Sequence, residues 1–512
     1  MKKIISSILS FCVIVTSLLS LGCTVTEEVK KVNPSQPKTF SERINETNVE
    51  KVKTTATFTV NASVSEDENR EDIIPHFTIE SGMVMQRRAV NLIKGFTSSS
   101  NVAVYFEGNY YYGQVENGSF KVYLPPFEAL YNKELVIYTE NSKLTLNSIC
   151  VGEVILLGGQ SNMAWSFSQS PDEHNEDRLN ANNDYIRCLR MDIREALSPQ
   201  TLGTNNSVWS KVAPDYLNNF SIVGYLFGEN LQKALQIPVG LVMSARGGTT
   251  VSQWMPEEYY VEYNESHATD MFVVNDGSHE PTQLYNGMIN PLIDMSFRMV
   301  LWYQGETNSS KGVEYEDELT ALINTYREIF NNPYLAYTII ELPRYVPSSQ
   351  IGWANVRTSQ QNVAKNLDYV ALSINIDLGD KDIHPRNKTE YSLRASEVAL
   401  YEFFGIGSYK YPTVKEIKKT TATKVEITLE NVGDGITLKN GANGFEYSLN
   451  GSQYIAVQEV EVVGKDKVIV TVGENTKYIR YGVQHFTDIP KNEFVTVFNS
   501  YNRPLDQFVF EF

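Results

Sequence analysis

Between residues 151 and about 405, short apolar segments alternate with segments of helical periodicity, and this alternation constrains the fold more than any other feature of the chain. Strands that alternate with helices form a mostly parallel, doubly wound sheet with helices on both faces. The sequence therefore predicts an α/β domain over residues 151–405. Its predicted strands are 154–157, 239–243, 299–303, 337–342 and 370–376, and its predicted helices are 223–235, 314–330 and 356–366.

Two regions of β character flank the predicted α/β domain. Residues 75–150 and 410–512 contain short alternating segments separated by turn residues, such as Asn450-Gly451, which is typical of a hairpin. This pattern predicts β-sandwich-like regions on the N- and C-terminal sides. The sequence leaves open whether the two regions form one domain or two.

The N-terminus has the pattern of an export signal. Lys2 and Lys3 precede a short apolar run that ends at Gly22-Cys23, so residues 1–23 are expected to be a signal peptide. Leu21-Gly22-Cys23 also resembles the lipidation site of bacterial lipoproteins, although Ser20 stands where leucine is usual. Polar residues 24–70 are expected to form a flexible tether. The chain is therefore expected at the bacterial cell surface or in the periplasm, attached to a membrane through lipid on Cys23.

Composition excludes some partners and leaves others open. The formal net charge is −17 and lysine and arginine form no block, so nucleic acid is an unlikely partner by charge. Cys150 and Cys188 could form a disulfide or remain separate buried thiols. No cysteine or histidine spacing matches a zinc site, and no metal or cofactor is expected. The oligomeric state is not predicted.

One predicted strand ends in a serine with the placement of a nucleophile. Residues 158–162 read Gly-Gly-Gln-Ser-Asn and directly follow the apolar strand 154–157. Open α/β sheets place their chemistry just outside the carboxyl ends of the strands, so Ser161 is a candidate nucleophile. The same residue types also favour an ordinary polar turn. The other strand ends must therefore decide between the two interpretations.

His384 is the histidine best placed to serve Ser161 as a base. It follows the strand 370–376, whereas His174, His267 and His279 fall in polar loop sequence. Pro385 favours extended backbone at His384, and Asp382, two residues earlier, would then point to the same side. A carboxylate at Nδ1 would orient the imidazole.

Two further strand ends have the chemistry of an oxyanion hole. Gly247 and Gly248 follow the strand 239–243, and their backbone N–H groups could approach a ligand closely. Gln304 and Asn308 follow the strand 299–303, and either amide could donate to an oxyanion or cap the next helix. Together the four strand ends favour a serine acyl-transfer site over a set of ordinary turns.

Three motifs carry a resemblance to a known family. Gly-Gln-Ser-Asn-Met at 159–163, Trp-Tyr-Gln-Gly-Glu-Thr-Asn at 302–308 and Asp-Ile-His-Pro at 382–385 resemble the sialate O-acetylesterases, which belong to the SGNH (GDSL-like) hydrolases. Weaker matches extend the likeness to residues 75–512. Thr307 stands where serine is commoner, and Ser244-Ala245-Arg246 replaces a more usual tryptophan-containing run.

The resemblance implies roles for individual residues. Ser161 would be the nucleophile, His384 the general base and Asp382 its orienter, with Asp380 as the other nearby carboxylate; some SGNH enzymes use a backbone carbonyl instead. The expected oxyanion hole comprises the backbone of Ser161 with Gly247 or Gly248, and the side chain of Gln304 or Asn308, of which Gln304 lies nearer the strand end. Substrate contacts are expected from Gln160, Asn162, Arg246 and Glu306, and Arg246 could equally form a surface salt bridge.

The expected function is removal of O-acetyl groups from a sugar, with sialic acid as the expected substrate, through an acetyl-enzyme intermediate. Deacetylation of xylan or another polysaccharide by the same site is the first alternative. A cell-surface carbohydrate-binding protein with an inert central domain is the alternative from another class.

Overall fold

A computed structural model describes residues 50–259, 261, 280–345, 351–379, 381–483 and 493–512. The predicted signal peptide, Cys23, the first part of the tether, His267, His279 and Asp380 lie outside these residues. All described residues belong to one unit, Ser35–Phe512, so the predicted domain boundaries stay a prediction. Among the described residues, no helix has the length and apolarity needed to cross a membrane.

The N-terminal β region consists of short strands in two sheets. One sheet has the antiparallel order β2-β4-β8-β7, and the other pairs β5, β6 and β9 with the strand that follows them. Aliphatic and aromatic side chains such as Ile93, Val104 and Phe120 are fully buried in this region. The strands are β1 (Ser65–Glu66), β2 (Ile73–Pro75), β3 (Val84–Gln86), β4 (Asn91–Thr97), β5 (Ala103–Phe106), β6 (Asn109–Tyr112), β7 (Gln114–Glu116), β8 (Ser119–Leu124) and β9 (Leu130–Tyr138).

The next strand, β10 (Ser142–Gly159), is 18 residues long and runs from the N-terminal β region into the central sheet. Its first half pairs antiparallel with β9, and its second half is the middle of a sheet with the order β12-β11-β13-β10-β14-β15-β16. All these neighbours are parallel except β12. The strands are β11 (Ile186–Arg190), β12 (Trp209–Lys211), β13 (Val239–Ala245), β14 (Met299–Tyr303), β15 (Ala336–Ile340) and β16 (Val370–Ser373).

Helices cover both faces of the central sheet. Seven are α1 (Ser161–Ala164), α2 (Pro171–Leu179), α3 (Pro214–Leu217), α4 (Ile222–Leu235), α5 (Tyr315–Ile329), α6 (Ile351–Asn366) and α7 (Thr389–Phe404). Gly224 of α4 lies against Leu157, whereas the Trp302 indole, packed beside Gly158, donates to Tyr315 of α5. Because neighbouring residues of a strand point to opposite faces, α4 and α5 lie on opposite sides. The predicted α/β fold class is confirmed.

At β10 the connections between successive strands reverse the direction in which they progress across the sheet. After β13 on one side of β10, the chain crosses to β14 on the other side, so connections diverge at the carboxyl end of β10. Ligands of open α/β sheets bind in the crevice at such a point. Single-turn 3₁₀ segments and one π-helical turn lie among the loops of this region, at Phe167–Gln169, Val251–Trp254, Tyr285–Ile289, Asn290–Leu292 and Thr307–Lys311.

The C-terminal region returns to antiparallel sheets, as expected. Val425, Val468, Ile479 and Tyr481 are among its fully buried side chains. The Asn450-Gly451 turn joins β20 to β21, which confirms the predicted hairpin. The strands are β17 (Thr413–Lys419), β18 (Lys424–Glu430), β19 (Ile436–Leu438), β20 (Phe445–Ser448), β21 (Tyr454–Ala456), β22 (Val460–Val463), β23 (Lys467–Thr471), β24 (Tyr478–Tyr481), β25 (Val497–Asn499) and β26 (Phe508–Glu511).

Candidate active site

Ser161 lies immediately beyond the carboxyl end of β10, as the first residue of α1. Gly159 makes the turn between them, with a φ of 137° that residues with side chains rarely adopt. A Cβ at Gly159 would lie 2.1 Å from the Tyr303 carbonyl oxygen, so the turn also has no space for one. The turn therefore presents Ser161 at the crevice of the sheet.

The structure brings His384 to Ser161 from 223 residues away along the chain. The imidazole Nε2 and the Ser161 Oγ are 2.8 Å apart, which is hydrogen-bond distance. The Trp165 ring stacks on the imidazole, with ring centroids 4.6 Å apart and planes 18° apart. Burial and the Lys388 charge lower the pKa of His384 below its ordinary value, with Asp382 opposing the shift. A neutral imidazole can accept the serine proton, so this pair has the geometry of nucleophile and base.

Asp382 lies beside His384, but its carboxylate is not hydrogen-bonded to the ring. Its Oδ1 is 3.8 Å from the imidazole Nδ1 and accepts the backbone N–H of His384 at 2.9 Å. This is a local Asx turn, which a side chain two residues earlier forms readily. Asp382 therefore does not make the predicted orienting hydrogen bond to the ring.

Gly247 and Gly248 follow β13, the strand that pairs with β10 on one side. A Cβ at Gly247 would lie 3.1 Å from the Cβ of Ser161, so this backbone directly borders the serine. The N–H of Arg246 donates to the Gly159 carbonyl at 3.1 Å and holds the two strand ends together. Gly247 thus lies beside Ser161, whereas a Cβ at Gly248 would meet no atom within 4 Å.

Gln304 and Asn308 are buried and bonded to each other, contrary to their expected exposure to an oxyanion. The Gln304 Nε2 donates to the Asn308 Oδ1 at 2.7 Å and to the Thr249 carbonyl at 2.9 Å. The Asn308 amide in turn donates to the Glu318 carboxylate. Both hydrogens of the Gln304 amide are therefore used within the protein. In this arrangement Gln304 supports the backbone that follows Gly248 instead of facing the crevice.

The four residues expected to contact substrate have different surroundings. Asn162 and Glu306 are 1% and 6% exposed, and the Asn162 Nδ2 donates to the Glu306 Oε1 at 2.6 Å. Gln160 is 3% exposed, and its Oε1 accepts from Thr307 N at 3.3 Å. These placements contradict direct substrate contact by Asn162 and Glu306, because their side chains are buried and directed at each other. Arg246 is partly exposed and forms an ion pair with Glu195.

Some site residues carried no recognisable sequence signal. His174, expected in a polar loop, is fully buried on α2, where its Nδ1 lies 2.7 Å from the Asp177 carboxylate. Its Nε2 accepts the backbone N–H of Lys388 at 2.9 Å, so it supports the segment that follows His384. A lone histidine or lysine among polar residues reads as a surface residue. Only the long-range fold shows that His174 and Lys388 are buried.

A cavity of about 490 Å³ opens beside α1 at the ends of β11 and β13, and its lining includes neither Ser161 nor His384. Its lining includes Ala164 of α1, Ala245 of β13, Arg190 and Asp192. The volume falls within the range of sites for small ligands. Cys150 and Cys188 are free and buried, and no group of three or more His, Cys, Asp or Glu in the described part of the chain could hold a metal ion.

Comparison with known proteins identifies the central region. Residues 151–396 match the family described as carbohydrate esterase, sialic acid-specific acetylesterase. The central region is similar to that family, and the match covers just under half of the chain. The resemblance noted from the three motifs is therefore confirmed, and members of the family are carboxylic ester hydrolases.

Individual relatives agree with the family match. Sialate O-acetylesterases of Pongo abelii and Homo sapiens are 28% and 27% identical over 308 residues, which cover 52% of this chain. The match covers 56% of the length of each of these relatives. The crystal structure of a carbohydrate acetylesterase from Xanthomonas citri superposes with a TM-score of 0.76 and 25% identity, covering 86% of this chain and 100% of that chain.

Proposed function

We propose that the protein is a serine carbohydrate esterase that removes O-acetyl groups from sugars through an acetyl-enzyme intermediate. The observation that carries this proposal is the 2.8 Å contact between the Ser161 Oγ and the His384 Nε2 at the end of β10. An unprotonated Nε2 takes the hydroxyl proton as Oγ attacks the acetyl carbonyl. The protonated imidazole then gives that proton to the departing sugar oxygen. Water repeats the sequence on the acetyl-enzyme and releases acetate.

The negative charge on the tetrahedral carbonyl oxygen needs donors that are already in place. The backbone N–H groups of Ser161 and of Gly247 or Gly248 are proposed to supply them. In this proposal the Gln304 amide holds the loop from beneath through the Thr249 carbonyl. Replacing Gln304 by Leu would then lower kcat indirectly and also lower the melting temperature, whereas loss of a direct donor would lower kcat alone.

The most favoured substrate is an O-acetylated sialic acid, because the cavity beside α1, the helix that Ser161 begins, presents the guanidinium of Arg190. Arg190 ends β11, two strand spacings or roughly 10 Å from the end of β10, which a sugar ring with its substituents can span. Its existing contacts are long, 3.4 Å to the Asn219 carbonyl and 3.5 Å to Asp192. A ligand carboxylate could therefore gain a bidentate pair with it. Arg246 is less suited because it does not line this cavity and its guanidinium pairs with Glu195.

The substrate assignment is tested by acetate release from O-acetylated sialic acid and from acetyl-xylan, measured side by side. In Arg190→Gln, we expect KM for the acetylated sialic acid to rise at least tenfold, while kcat/KM for p-nitrophenyl acetate stays at the wild-type value. Faster acetate release from acetyl-xylan than from O-acetylated sialic acid would contradict the acidic-sugar assignment. Equal losses of kcat/KM on the acetylated sialic acid and on p-nitrophenyl acetate in Arg190→Gln would also contradict it.

The catalytic assignment is tested with p-nitrophenyl acetate and the variant Ser161→Ala. Activity should fall to background in the variant, with an unchanged melting temperature. Equal rates in wild type and variant would show that the reaction does not use this serine. The alternative of a carbohydrate-binding protein without activity would then be tested by glycan binding.

We further propose that the protein is exported and attached to a membrane by lipid on Cys23. The support is the pattern of Lys2, Lys3, the apolar run and Leu21-Gly22-Cys23. Labelling of cells with a radioactive fatty acid should mark the wild-type protein and leave Cys23→Ser unlabelled. Label retained in the variant would refute attachment at this residue.

A further inference from the structure

A lysine with no solvent exposure lies directly behind the Ser161–His384 pair. Lys388 follows His384 by four residues and immediately precedes α7, and its side chain is 0% exposed. Its Nζ donates to the Asn162 Oδ1 at 2.5 Å and lies 5.5 Å from the centroid of the Tyr303 ring. A buried ammonium loses its hydration, and an apolar residue of similar size often serves stability equally well. The position therefore calls for an explanation other than packing.

The Asn162 amide connects the two halves of the active site. Its Nδ2 donates to the Glu306 Oε1 at 2.6 Å and to the carbonyl of Ile383 at 3.0 Å, while its Oδ1 accepts from Lys388. Asn162 adjoins Ser161 in the chain, and Ile383 adjoins His384. One side chain thus joins the backbone next to the nucleophile to the backbone next to the base.

Glu306 interacts electrostatically with Lys388, and both side chains bond the same Asn162 amide. The carboxylate is buried, and among the described residues its Oε2 has no hydrogen-bond partner. Burial raises the pKa of Glu306 to about 7, against the Asn162 hydrogen bond and the Lys388 charge. Burial likewise lowers the pKa of Lys388 to about 7, against the charges of Glu306 and Asp382.

The other groups packed around the Lys388 side chain and backbone complete the charge description. From α7, the ring of Tyr391 lies 5.7 Å from Nζ; from α2, His174 accepts the backbone N–H. In the loop before Lys388, Asp382 and His384 interact with it electrostatically. Lys388 is therefore the positive group that acts on the His384 imidazole.

We propose that Lys388, Asn162 and Glu306 form a buried ionic clamp that positions His384 against Ser161 and keeps the imidazole unprotonated. This proposal rests on the esterase function proposed above. All three are positioning residues, because none of them touches the reacting atoms. Asn162 sets the spacing of the two catalytic segments, Lys388 supplies the charge that disfavours imidazolium, and Glu306 compensates that charge within the interior.

The test compares Lys388→Met with the double variant Lys388→Met/Glu306→Gln, in which both charges of the clamp are removed together. The exposed pair Lys233–Glu229 on α4 offers a matched control, Lys233→Met. We expect kcat for p-nitrophenyl acetate to fall about 10²-fold in both clamp variants, as for a misplaced catalytic group, with KM little changed. The acid limb of kcat/KM should move to higher pH in both variants. The double variant should keep the wild-type melting temperature, and Lys233→Met should match the wild type throughout.

An NMR titration of the His384 ring provides a readout that needs no activity. Removal of the Lys388 cation should raise the midpoint of this titration. Wild-type kcat in a folded double variant, or an acid limb and titration midpoint that stay at their wild-type pH, would overturn the clamp. Failure of the esterase proposal would look different: Ser161→Ala would retain the rate of the wild type, whatever the result at Lys388.

Discussion

The two glycines after β13 offer a sharp test of where the acetyl group is bound. A Cβ at Gly247 would lie 3.1 Å from the Ser161 Cβ, closer than about 3.4 Å, below which contacts are crowded. A Cβ at Gly248 would meet no atom within 4 Å, but its φ of 73° is strained for alanine. Gly247→Ala should therefore displace Ser161, whereas Gly248→Ala should strain the backbone at residue 248.

The expected magnitudes follow from these distances. In Gly247→Ala, Ser161 or the loop must move by about 0.3 Å, and the new methyl group occupies space beside the proposed oxyanion hole. Since a displacement of about 1 Å costs about 10²-fold and loss of one oxyanion donor about 10²–10³-fold, we expect a loss of kcat of at least about tenfold. In Gly248→Ala, the left-handed conformation should cost about 1–2 kcal/mol of unfolding free energy.

Steady-state kinetics with p-nitrophenyl acetate and urea unfolding of the same preparations measure both effects. The expected pattern is a large loss of kcat with little loss of stability for Gly247→Ala, and the larger loss of stability for Gly248→Ala. Wild-type kcat in a folded Gly247→Ala variant would refute the placement of this backbone at the reacting carbonyl. The opposite pattern would assign the close approach to Gly248.

Three further predictions concern the base and the strand that carries the serine. Because burial and Lys388 lower the pKa of His384, the imidazole stays unprotonated to lower pH than a free histidine. The acid limb of kcat/KM should therefore have its midpoint below the ordinary histidine value of 6.5, and a midpoint above 6.5 would contradict this. Trp165→Ala removes the ring that stacks on His384, and we expect about a 2–10-fold loss of kcat with KM unchanged; an unchanged kcat would exclude this role for the stack. Glu153→Ala leaves the cation of Arg87 without its 2.6 Å partner, and should cost about 3–5 kcal/mol in urea unfolding, whereas a cost below 1 kcal/mol would show that the pair is dispensable.

Local sequence patterns predicted the elements that are apolar and continuous. The strands at 239–245 and 299–303 and the helix 222–235 were predicted almost to their ends, because each buries nearly every side chain or one full stripe. Strand β11 was not predicted, because Arg187 and Arg190 interrupt its apolar pattern. Arg187 is nevertheless fully buried, with its guanidinium donating to the Asp184 and Ile186 carbonyls.

The site was predicted where chemistry is concentrated near strand ends, and missed where it depends on distant contacts. Ser161 and His384 could be paired because each follows a strand of one predicted parallel sheet. In extended chain every second side chain points to the same side, so Asp382 was expected to contact the His384 ring. Its carboxylate instead accepts the backbone N–H of His384. Asn162 was expected to contact substrate. Its side chain turns inward because Lys388 and Glu306, more than 140 residues away along the chain, provide both of its charged partners.

Strand β10 explains how the nucleophile is held while the base arrives on a loop. Its first half belongs to the antiparallel N-terminal sheet and its second half to the parallel central sheet, so hydrogen bonds on both edges fix its direction. At the junction, Glu153 accepts from Gln86 at 2.8 Å and from Arg87, and the Gln86 carbonyl oxygen Oε1 accepts the N–H of Val154. The N-terminal β region thus stabilises the strand that ends at Ser161. His384 has no such strand at its own position, and a loop alone would leave its distance to Ser161 loosely determined. The contact from Asn162 to the Ile383 carbonyl supplies the missing constraint, which is why we expect the loss of the buried charges to lower kcat more than it lowers stability.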